Sequence, residues 1–310
     1  MKSLQIVIPL YNEIHTVPEL WERLSGVCTS LGLEWSVLFV DDGSSDGTGD
    51  VLDGLGKTQA NVSVLHLSRN FGHQAALTAG IDHADADAVV LMDGDLQDTP
   101  ETLPRFVAIW KQGAEVVYAI RTKRKEGMVS RVAFKAFYRL LRGLSGISQP
   151  ADAGIFSLLD RRVLDVIRAM PEHNRYFPGL RAFAGFRQVG LPVERGARFA
   201  DEPRVGLKGL FKLAADAVFS FSYVPIRIVT WVGIFMAMAS FCYLLWVLFQ
   251  KFFTQAAISG WTSILGATLL LGSIQIVMLG VVGEYIARIY EETKRRPSYI
   301  VSHRIPPKDG

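Results

Sequence analysis

The sequence predicts an α/β fold with a doubly wound, mostly parallel sheet, followed by two long apolar segments. In residues 1–120, short apolar runs alternate with segments of helical spacing, which is the pattern of βα units. Polar clusters follow the ends of these runs. Further along, the segments 228–249 and 263–287 are each long enough to cross a bilayer. These observations indicate a sheet domain joined to a membrane anchor.

Five apolar runs predict the strands of the sheet. They cover residues 4–10, 35–40, 62–67, 88–92 and 114–120. Helices are predicted over 17–31, after the capping residues Ser45 or Asp46, and over 74–84. Ligands of such sheets bind beyond the carboxyl ends of the strands, so the polar clusters at these ends are expected to meet there. The clusters are Tyr11-Asn12-Glu13, Asp41-Asp42-Gly43-Ser44, Arg69-Asn70 and Asp93-Gly94-Asp95.

The cluster after the fourth strand predicts a site for a divalent metal. Asp93 and Asp95 flank Gly94, and the alternation of an extended chain directs both carboxylates to the same side. Two converging carboxylates repel each other unless a cation lies between them, and Mg²⁺ takes one or two carboxylates together with phosphate oxygens. Gln97 offers a further oxygen, and Gly94 allows a ligand to approach the backbone. A solvated acidic turn is the alternative interpretation.

Composition and motifs exclude several other classes of function. The net charge of +3 is too small to indicate a nucleic-acid partner. Two cysteines and six histidines show neither a disulfide framework nor metal-ligand spacing, and the amino terminus does not resemble a signal peptide. The glycine fingerprint of dinucleotide-binding folds fails at Leu52, and no Walker loop occurs. A nucleotide would therefore be held by acids and a metal, with Asp41 and Asp42 as candidates for its ribose or base.

Three further features are candidates for binding anions or for catalysis. Arg121 follows the fifth strand and can bind a diphosphate through its planar fork, unless it is an ordinary surface arginine. Asp152 lies among small residues and is either a reactive carboxylate or a local turn cap. The stretch 192–206 is rich in glycine and arginine, which suits a mobile basic lid or a plain linker. Its arginines are Arg195, Arg198 and Arg204.

The carboxyl-terminal part predicts a membrane hairpin. The two apolar segments are joined by a short link, 250–262, that carries one cation, whereas lysines and arginines flank the outer ends. The positive-inside rule therefore places both termini and the sheet domain in the cytoplasm, at the inner membrane. Buried helices of a soluble protein are the alternative.

Two basic amphipathic helices, 128–145 and 208–222, are expected at the membrane surface, or else packed on a core. Arg131 lies on the basic face of the first. The expected domains are an α/β domain over 1–207, a juxtamembrane helix over 208–226, a hairpin over 227–290 and a cytoplasmic tail over 291–310.

Several stretches, taken together, resemble the polyprenyl-phosphate glycosyltransferases of inverting glycosyltransferase family 2, the relatives of dolichyl-phosphate mannose synthase and bactoprenol glucosyltransferase. The stretches are 4–13, 41–44, 67–72, 93–98 and 283–292. The resemblance covers nearly the whole chain. It implies a GT-A fold, a nucleotide-sugar donor, Mg²⁺ or Mn²⁺, and a lipid phosphate as acceptor.

The resemblance also implies roles for individual residues, by their position in the family's motifs. The residues expected to bind the nucleotide sugar are Pro9, Tyr11, Glu13, Val40, Asp42, Asp93, Gly94 and Arg121. The expected metal ligands are Asp93, Asp95 and Gln97. Asp95 and Asp152 are the candidate catalytic residues, and the candidates for the acceptor phosphate are Arg131, Arg198 and Arg204.

The chain departs from the family's pattern at three places. Pro203-Arg204 stands where the family usually has a lysine after Gly-x-Ser, which keeps the charge but not the geometry. The family's Gly-Asp-Phe segment appears as Ala151-Asp152-Ala153-Gly154, and Gly94 replaces the usual alanine between the metal-binding acids.

The predicted reaction is inverting transfer of a hexose to a polyprenyl phosphate, for a cell-envelope glycan or lipopolysaccharide modification. UDP-glucose is favoured as donor, with GDP-mannose as the alternative. The acceptor needs little help from a base, because a phosphate monoester is largely dianionic at neutral pH. The alternatives are a membrane-anchored scaffold or sensor that binds sugar nucleotides without catalysis, a lipid carrier, and a transferase to a lipid hydroxyl. A homo-oligomer is also expected.

Overall fold

The computed structural model describes residues 2–121, 153–172, 175–193, 224–249, 253 and 260–307. Within these residues the chain forms two compact units. One unit is built from 2–121, 153–172, 175–193 and 296–307, and the other from 224–249, 253 and 260–295. The predicted helix over 128–145 and most of the predicted segment 208–226 lie outside the described residues.

The first unit contains an eight-stranded sheet, in the order β7-β5-β6-β4-β1-β2-β3-β8. Neighbouring strands are parallel from β3 through β2 and β1 to β4, and also between β5 and β7. Strand β6 is antiparallel to β4 and β5, and β8 is antiparallel to β3. The prediction of a mostly parallel α/β sheet is therefore confirmed. The strands are β1 Ser3–Leu10, β2 Glu34–Asp41, β3 Val62–Leu67, β4 Ala88–Leu91, β5 Val116–Arg121, β6 Ala153–Asp160, β7 Gln188–Val193 and β8 Val301–Ile305.

Helices cover both faces of this sheet, because its central strands are apolar on both sides. Along β1, Leu4, Ile6 and Ile8 belong to one core, whereas Val7 belongs to the core on the opposite face. The helices are α1 Val17–Thr29, α2 Thr48–Thr58, α3 His73–His83, α4 Leu103–Lys111, α5 Arg161–Ala169 and α6 Phe177–Ala184. The first core includes residues of α1, α2 and α4, and the second includes residues of α3, α5 and α6.

The predicted strands and the observed strands agree closely up to β5. Strand β3 has the predicted bounds, and the other four differ from the prediction by one or two residues at an end. Strands β6, β7 and β8 were not predicted. Strand β8 lies in the segment 291–310, which the sequence predicted to be a cytoplasmic tail. It pairs with β3 at the edge of the sheet, with His303 opposite His66.

The second unit contains two long helices, α7 Val224–Phe249 and α8 Trp261–Lys294. Many of their large apolar side chains are exposed, among them Trp231, Phe235, Ile276 and Leu279, at 69–71%. No helix within the described residues meets the criterion of length and apolar character for crossing a membrane. The predicted pair of spans is therefore not confirmed.

Candidate functional site

The loops after β1 and β2 are joined by side-chain hydrogen bonds. The amide of Asn12 donates to Ser44 Oγ at 3.0 Å, and the amide of Ser45 donates to Asn12 Oδ1 at 2.9 Å. Asn12 has a φ of 54°, in the left-handed region that asparagine tolerates better than most residues. The two polar clusters therefore form one surface at the carboxyl edge of the sheet, as the sequence indicated.

The Asp42 carboxylate joins the loop after β2 to the loop after β3. It is buried, and its two oxygens accept hydrogen bonds from the amides of Phe71 and Gly72 at 2.8 and 2.9 Å. Burial raises the pKa of this carboxyl above its usual value, while the two amides oppose that shift. Each oxygen keeps a second lone pair that can accept a hydrogen bond from a nucleotide. The role of Asp42 in binding a nucleotide stays a prediction.

A tight acidic turn follows β4. The amide of Asp93 donates to Asp98 Oδ2 at 3.3 Å, and the amide of Gln97 donates to Asp95 Oδ1 at 3.1 Å. Leu96, between these residues, has a φ of 59°, which is costly for a side chain with a Cβ. Burial of the Leu96 side chain in the core helps to offset this strain, and Gln97, the next residue, is also buried.

Two oxygens of this turn are buried without a hydrogen-bond partner in the described residues, namely Asp93 Oδ1 and Gln97 Oε1. His73 Nε2 lies 3.3 Å from Asp93 Oδ1, which is ion-pair distance without the geometry of a hydrogen bond. A buried acceptor without a donor is costly, and a cation would remove that cost. Hard oxygen ligands suit Mg²⁺ or Mn²⁺. The residues present therefore fit a divalent cation, with Asp95 as a further carboxylate.

A second polar cluster lies beside the loop after β2. His66 Nδ1 is 2.9 Å from Asp41 Oδ2, and His66 Nε2 is 2.9 Å from Asp53 Oδ1. The His303 ring of β8 stacks on His66, with centroids 4.2 Å apart and an interplanar angle of 8°. One nitrogen or oxygen atom from each of Asp53, His66 and His303 lies within 4.8 Å of the other two. This group is distinct from the acidic turn after β4, and its 2.9 Å separations are those of hydrogen bonds.

The remaining predicted site residues are partly placed by the structure. Pro9 and Val40 are buried partners in the register of β1 and β2, and Tyr11 is exposed just after β1. Glu13 Oε2 accepts a hydrogen bond from Thr16 Oγ1 at 2.7 Å, so this carboxylate is held just before the start of α1. The backbone of Arg121 ends β5. The predicted residues outside the described part of the chain are Arg131, Asp152, Arg198 and Arg204.

Sequence reasoning missed several residues that the fold brings to these loops. His73 follows directly on the Arg69–Gly72 loop, so its place beside a strand end was the signal that could have found it. Asp98 belonged to the acidic stretch, but its role as an acceptor for the Asp93 amide needs the turn. Nothing in the sequence pairs His66 with His303, because they are far apart in the chain.

Comparison with known protein families gives two matches along the chain. Residues 5–168 match the model of glycosyl transferase family 2, which is more than half of the chain. Residues 224–289 match the GtrB C-terminal hairpin.

Similar proteins extend over nearly the whole chain. The uncharacterized glycosyltransferase YkcC of Bacillus subtilis is 42% identical, over 96% of this chain and 92% of that protein. The prophage bactoprenol glucosyl transferase homolog of Escherichia coli is 34% identical, over 96% of this chain and 98% of that protein. A crystal structure of Mycobacterium tuberculosis glucosyl-3-phosphoglycerate synthase, with Mn²⁺, UDP and phosphoglyceric acid, has a TM-score of 0.51 at 19% identity, covering 70% of this chain and 76% of that one. This last likeness supports the fold alone.

Proposed function

The chain belongs to glycosyl transferase family 2, and we propose that it transfers a hexose, with inversion, from a nucleotide sugar to a polyprenyl phosphate. The observation that carries the proposal is that two buried oxygens at the carboxyl edge of the sheet, Asp93 Oδ1 and Gln97 Oε1, accept no hydrogen bond within the described residues. A metal-dependent transferase of this kind needs a site for a divalent cation next to the edge where the nucleotide binds. The oxygens of this turn are suitable ligands for such a cation.

The donor side of the proposed site is built from the loops after β1, β2 and β4. The metal ligands would be Asp93, Asp95 and Gln97. A bound Mg²⁺ or Mn²⁺ would neutralise the charge that develops on the leaving diphosphate. The loop 41–44 and Tyr11 would receive the nucleotide, since they lie at the edge where parallel sheets bind ligands. Arg121 would bind the diphosphate.

The acceptor side rests on the relatives and on the chemistry of phosphate. Relatives that align over nearly the whole chain carry the name bactoprenol glucosyl transferase, which supports a polyprenyl phosphate as acceptor and glucose as the transferred sugar. UDP as the nucleotide of the donor stays a prediction. A phosphate monoester has a second pKa near 6, so it is an adequate nucleophile at neutral pH. Arg131, Arg198 and Arg204 would guide it past the acidic turn, and Asp152 would orient it.

The helices α7 and α8 would anchor the enzyme as a hairpin in the cell inner membrane, with the sheet domain in the cytoplasm. Three observations support this part of the proposal. The segment matches the GtrB C-terminal hairpin, its large apolar side chains are exposed, and lysines and arginines flank its outer ends. A lipid acceptor also requires that the site reach a membrane. Homo-oligomerisation stays a prediction.

A transfer assay with matched variants tests the proposal. The full chain in detergent is mixed with Mn²⁺, undecaprenyl phosphate and labelled UDP-glucose or GDP-mannose, and the lipid phase is counted. We expect label in the lipid, and a loss of about 100-fold or more in Asp93→Asn, because that change removes an anionic metal ligand. Asp50→Asn, at an exposed acid of α2, is the matched control and should retain activity.

Three outcomes would contradict the proposal. Normal turnover of a folded Asp93→Asn variant would remove the metal site from the reaction. Binding of nucleotide sugar without transfer to any lipid would favour the scaffold, and transfer to a lipid hydroxyl instead of a phosphate would favour the other transferase.

A further inference from the structure

The His66 side chain is held between two carboxylates. Its side chain is only 8% exposed, and its two ring nitrogens lie 2.9 Å from Asp41 Oδ2 and from Asp53 Oδ1. A neutral imidazole has one N–H donor and one lone pair, so it can satisfy only one carboxylate. Both contacts are favourable only when both nitrogens carry protons. The two contacts therefore favour the imidazolium form of His66.

The strand that follows α8 completes the surroundings of His66. His303 is the register partner of His66 across the β3–β8 pair, and its ring lies parallel to the His66 ring. On the other side, a Cβ at Gly49 would lie 3.3 Å from Asp41 Oδ2 and 3.5 Å from His66 Cε1. The imidazolium is thus enclosed by α2 and by the last strand of the chain.

Hydrogen bonds connect this imidazolium to the loop after β2. Asp41 Oδ2 contacts His66, and Asp41 Oδ1 accepts a hydrogen bond from the amide of Ser44 at 3.0 Å. Ser44 Oγ in turn accepts from the amide of Asn12. The orientation of Asp41, and through it the turn 41–44, therefore depends on a charge-assisted hydrogen bond from His66.

We propose that His66 is a positioning residue for the donor: held between Asp41 and Asp53 and covered by His303, it keeps the loop 41–44 in the conformation that binds the nucleotide. The inference rests on the proposed function, because it assigns that loop to the nucleotide. It also gives the carboxyl-terminal strand a part in donor binding.

The pH dependence of donor binding follows from the groups around His66. These groups are Asp41 on β2, Asp53 on α2, with Lys57 Nζ 4.0 Å from Asp53, and His303 on β8. Burial lowers the pKa of His66, but hydrogen bonds and charge from Asp41 and Asp53 outweigh it and raise the pKa above 6.5. The contribution of His66 is therefore complete below pH 6.5 and is lost as the pH rises through the folded-state pKa.

Donor binding and transfer, measured across pH, test this inference. In His66→Gln we expect the KM for the nucleotide sugar to rise about ten-fold with little change in kcat, because a charge-assisted hydrogen bond is lost. The wild-type affinity for UDP with Mn²⁺ should weaken as the pH rises through the pKa of His66, and the variant should lack this step. His303→Ala should weaken binding, while His303→Phe should restore it by keeping the stacked ring.

His83→Gln is the matched control. His83 also contacts the carboxyl-terminal segment, through Tyr299 at 6.0 Å between ring centroids, but it hydrogen-bonds to Ala79 O within its own helix. The His83→Gln variant should leave both the KM for the nucleotide sugar and the pH profile unchanged.

The two proposals fail in different ways. If the wild-type chain neither binds UDP nor transfers sugar, the proposed function is wrong. If it does both, but His66→Gln keeps the wild-type KM and pH profile, the positioning role is wrong. A titration with Zn²⁺ that tightened UDP binding of the wild type but not of His303→Ala would also overturn the inference, because His66 would then be a metal ligand and not an imidazolium.

Discussion

At the scale of single residues, Gly43 lies where the loop after β2 approaches the backbone of the loop after β3. Its φ is 67°, and a Cβ at this position would lie 2.5 Å from the backbone carbonyl carbon of Arg69. Backbone atoms cannot move aside as the end of a flexible side chain can. The approach of the loops after β2 and β3 therefore requires a glycine here.

We expect Gly43→Ala to destabilise the sheet domain by about 1–3 kcal/mol, from the strained φ together with the clash. The thermal unfolding midpoint measures this effect. Gly26→Ala is the control, because Gly26 lies inside α1 with no neighbouring atom within 4 Å of an added Cβ. A lower midpoint in the control than in Gly43→Ala would contradict the argument.

The residues of the acidic turn show how far residue-level prediction reaches. The spacing of Asp93, Asp95 and Gln97 indicated a shared site, since they are close together in the chain. The buried state of the Asp93 and Gln97 oxygens depends on the left-handed Leu96, and leucine gives no hint of a positive φ.

At the scale of elements, α3 packs on the sheet at Gly80, where there is no room for a side chain. A Cβ on Gly80 would overlap Val7 Cγ1 of β1 and lie 3.1 Å from Val40 Cγ2 of β2. Both valines are fully buried and stiff at χ1, so they cannot easily turn away. Helix α3 begins at His73, whose side chain contacts Asp93. The distance of α3 from the sheet therefore also sets the distance between His73 and Asp93.

We expect Gly80→Ala to reduce stability by about 1–3 kcal/mol through overpacking and to reduce transfer activity as α3 moves outward. Unfolding midpoints and the transfer assay measure the two effects. Gly54→Ala in α2 is the matched control, because a Cβ there would meet no atom within 4 Å. Unchanged midpoint and activity in Gly80→Ala would show that the sheet accommodates the methyl group.

At the scale of the whole molecule, the chain leaves the sheet domain, forms two long helices and then returns to pair with β3 through β8. Residues 301–305 of the predicted cytoplasmic tail are thus a strand of the sheet, whereas its first residues, 291–294, belong to α8. The outer edge of β3 is covered by β8, which removes a row of unpaired backbone groups. The described helices of the second unit expose many large apolar side chains, a feature that marks interaction or membrane surfaces.

We expect the expressed full chain to stay in the membrane fraction through an alkaline carbonate wash and to be released by detergent. The physical reason is the exposed apolar surface of α7 and α8, which gains free energy when it leaves water. Immunoblots of both fractions measure the distribution, with a soluble cytoplasmic protein of the same lysate as control. Release of the chain by carbonate alone would contradict the proposed membrane anchor.

The sequence by itself determined the parallel α/β core, and it pointed to the carboxyl edge as the place of the candidate site and to the acidic turn as the candidate for metal. Apolar runs, turn residues and closely spaced acids are local features, and local features are readable from a sequence. Only the tertiary structure decided that Asp42 accepts hydrogen bonds from the loop after β3, that Gly43 and Gly80 lie where a Cβ would clash, and that His303 stacks on His66. Each of these depends on which distant segments become neighbours, and packing of the whole sheet settles that.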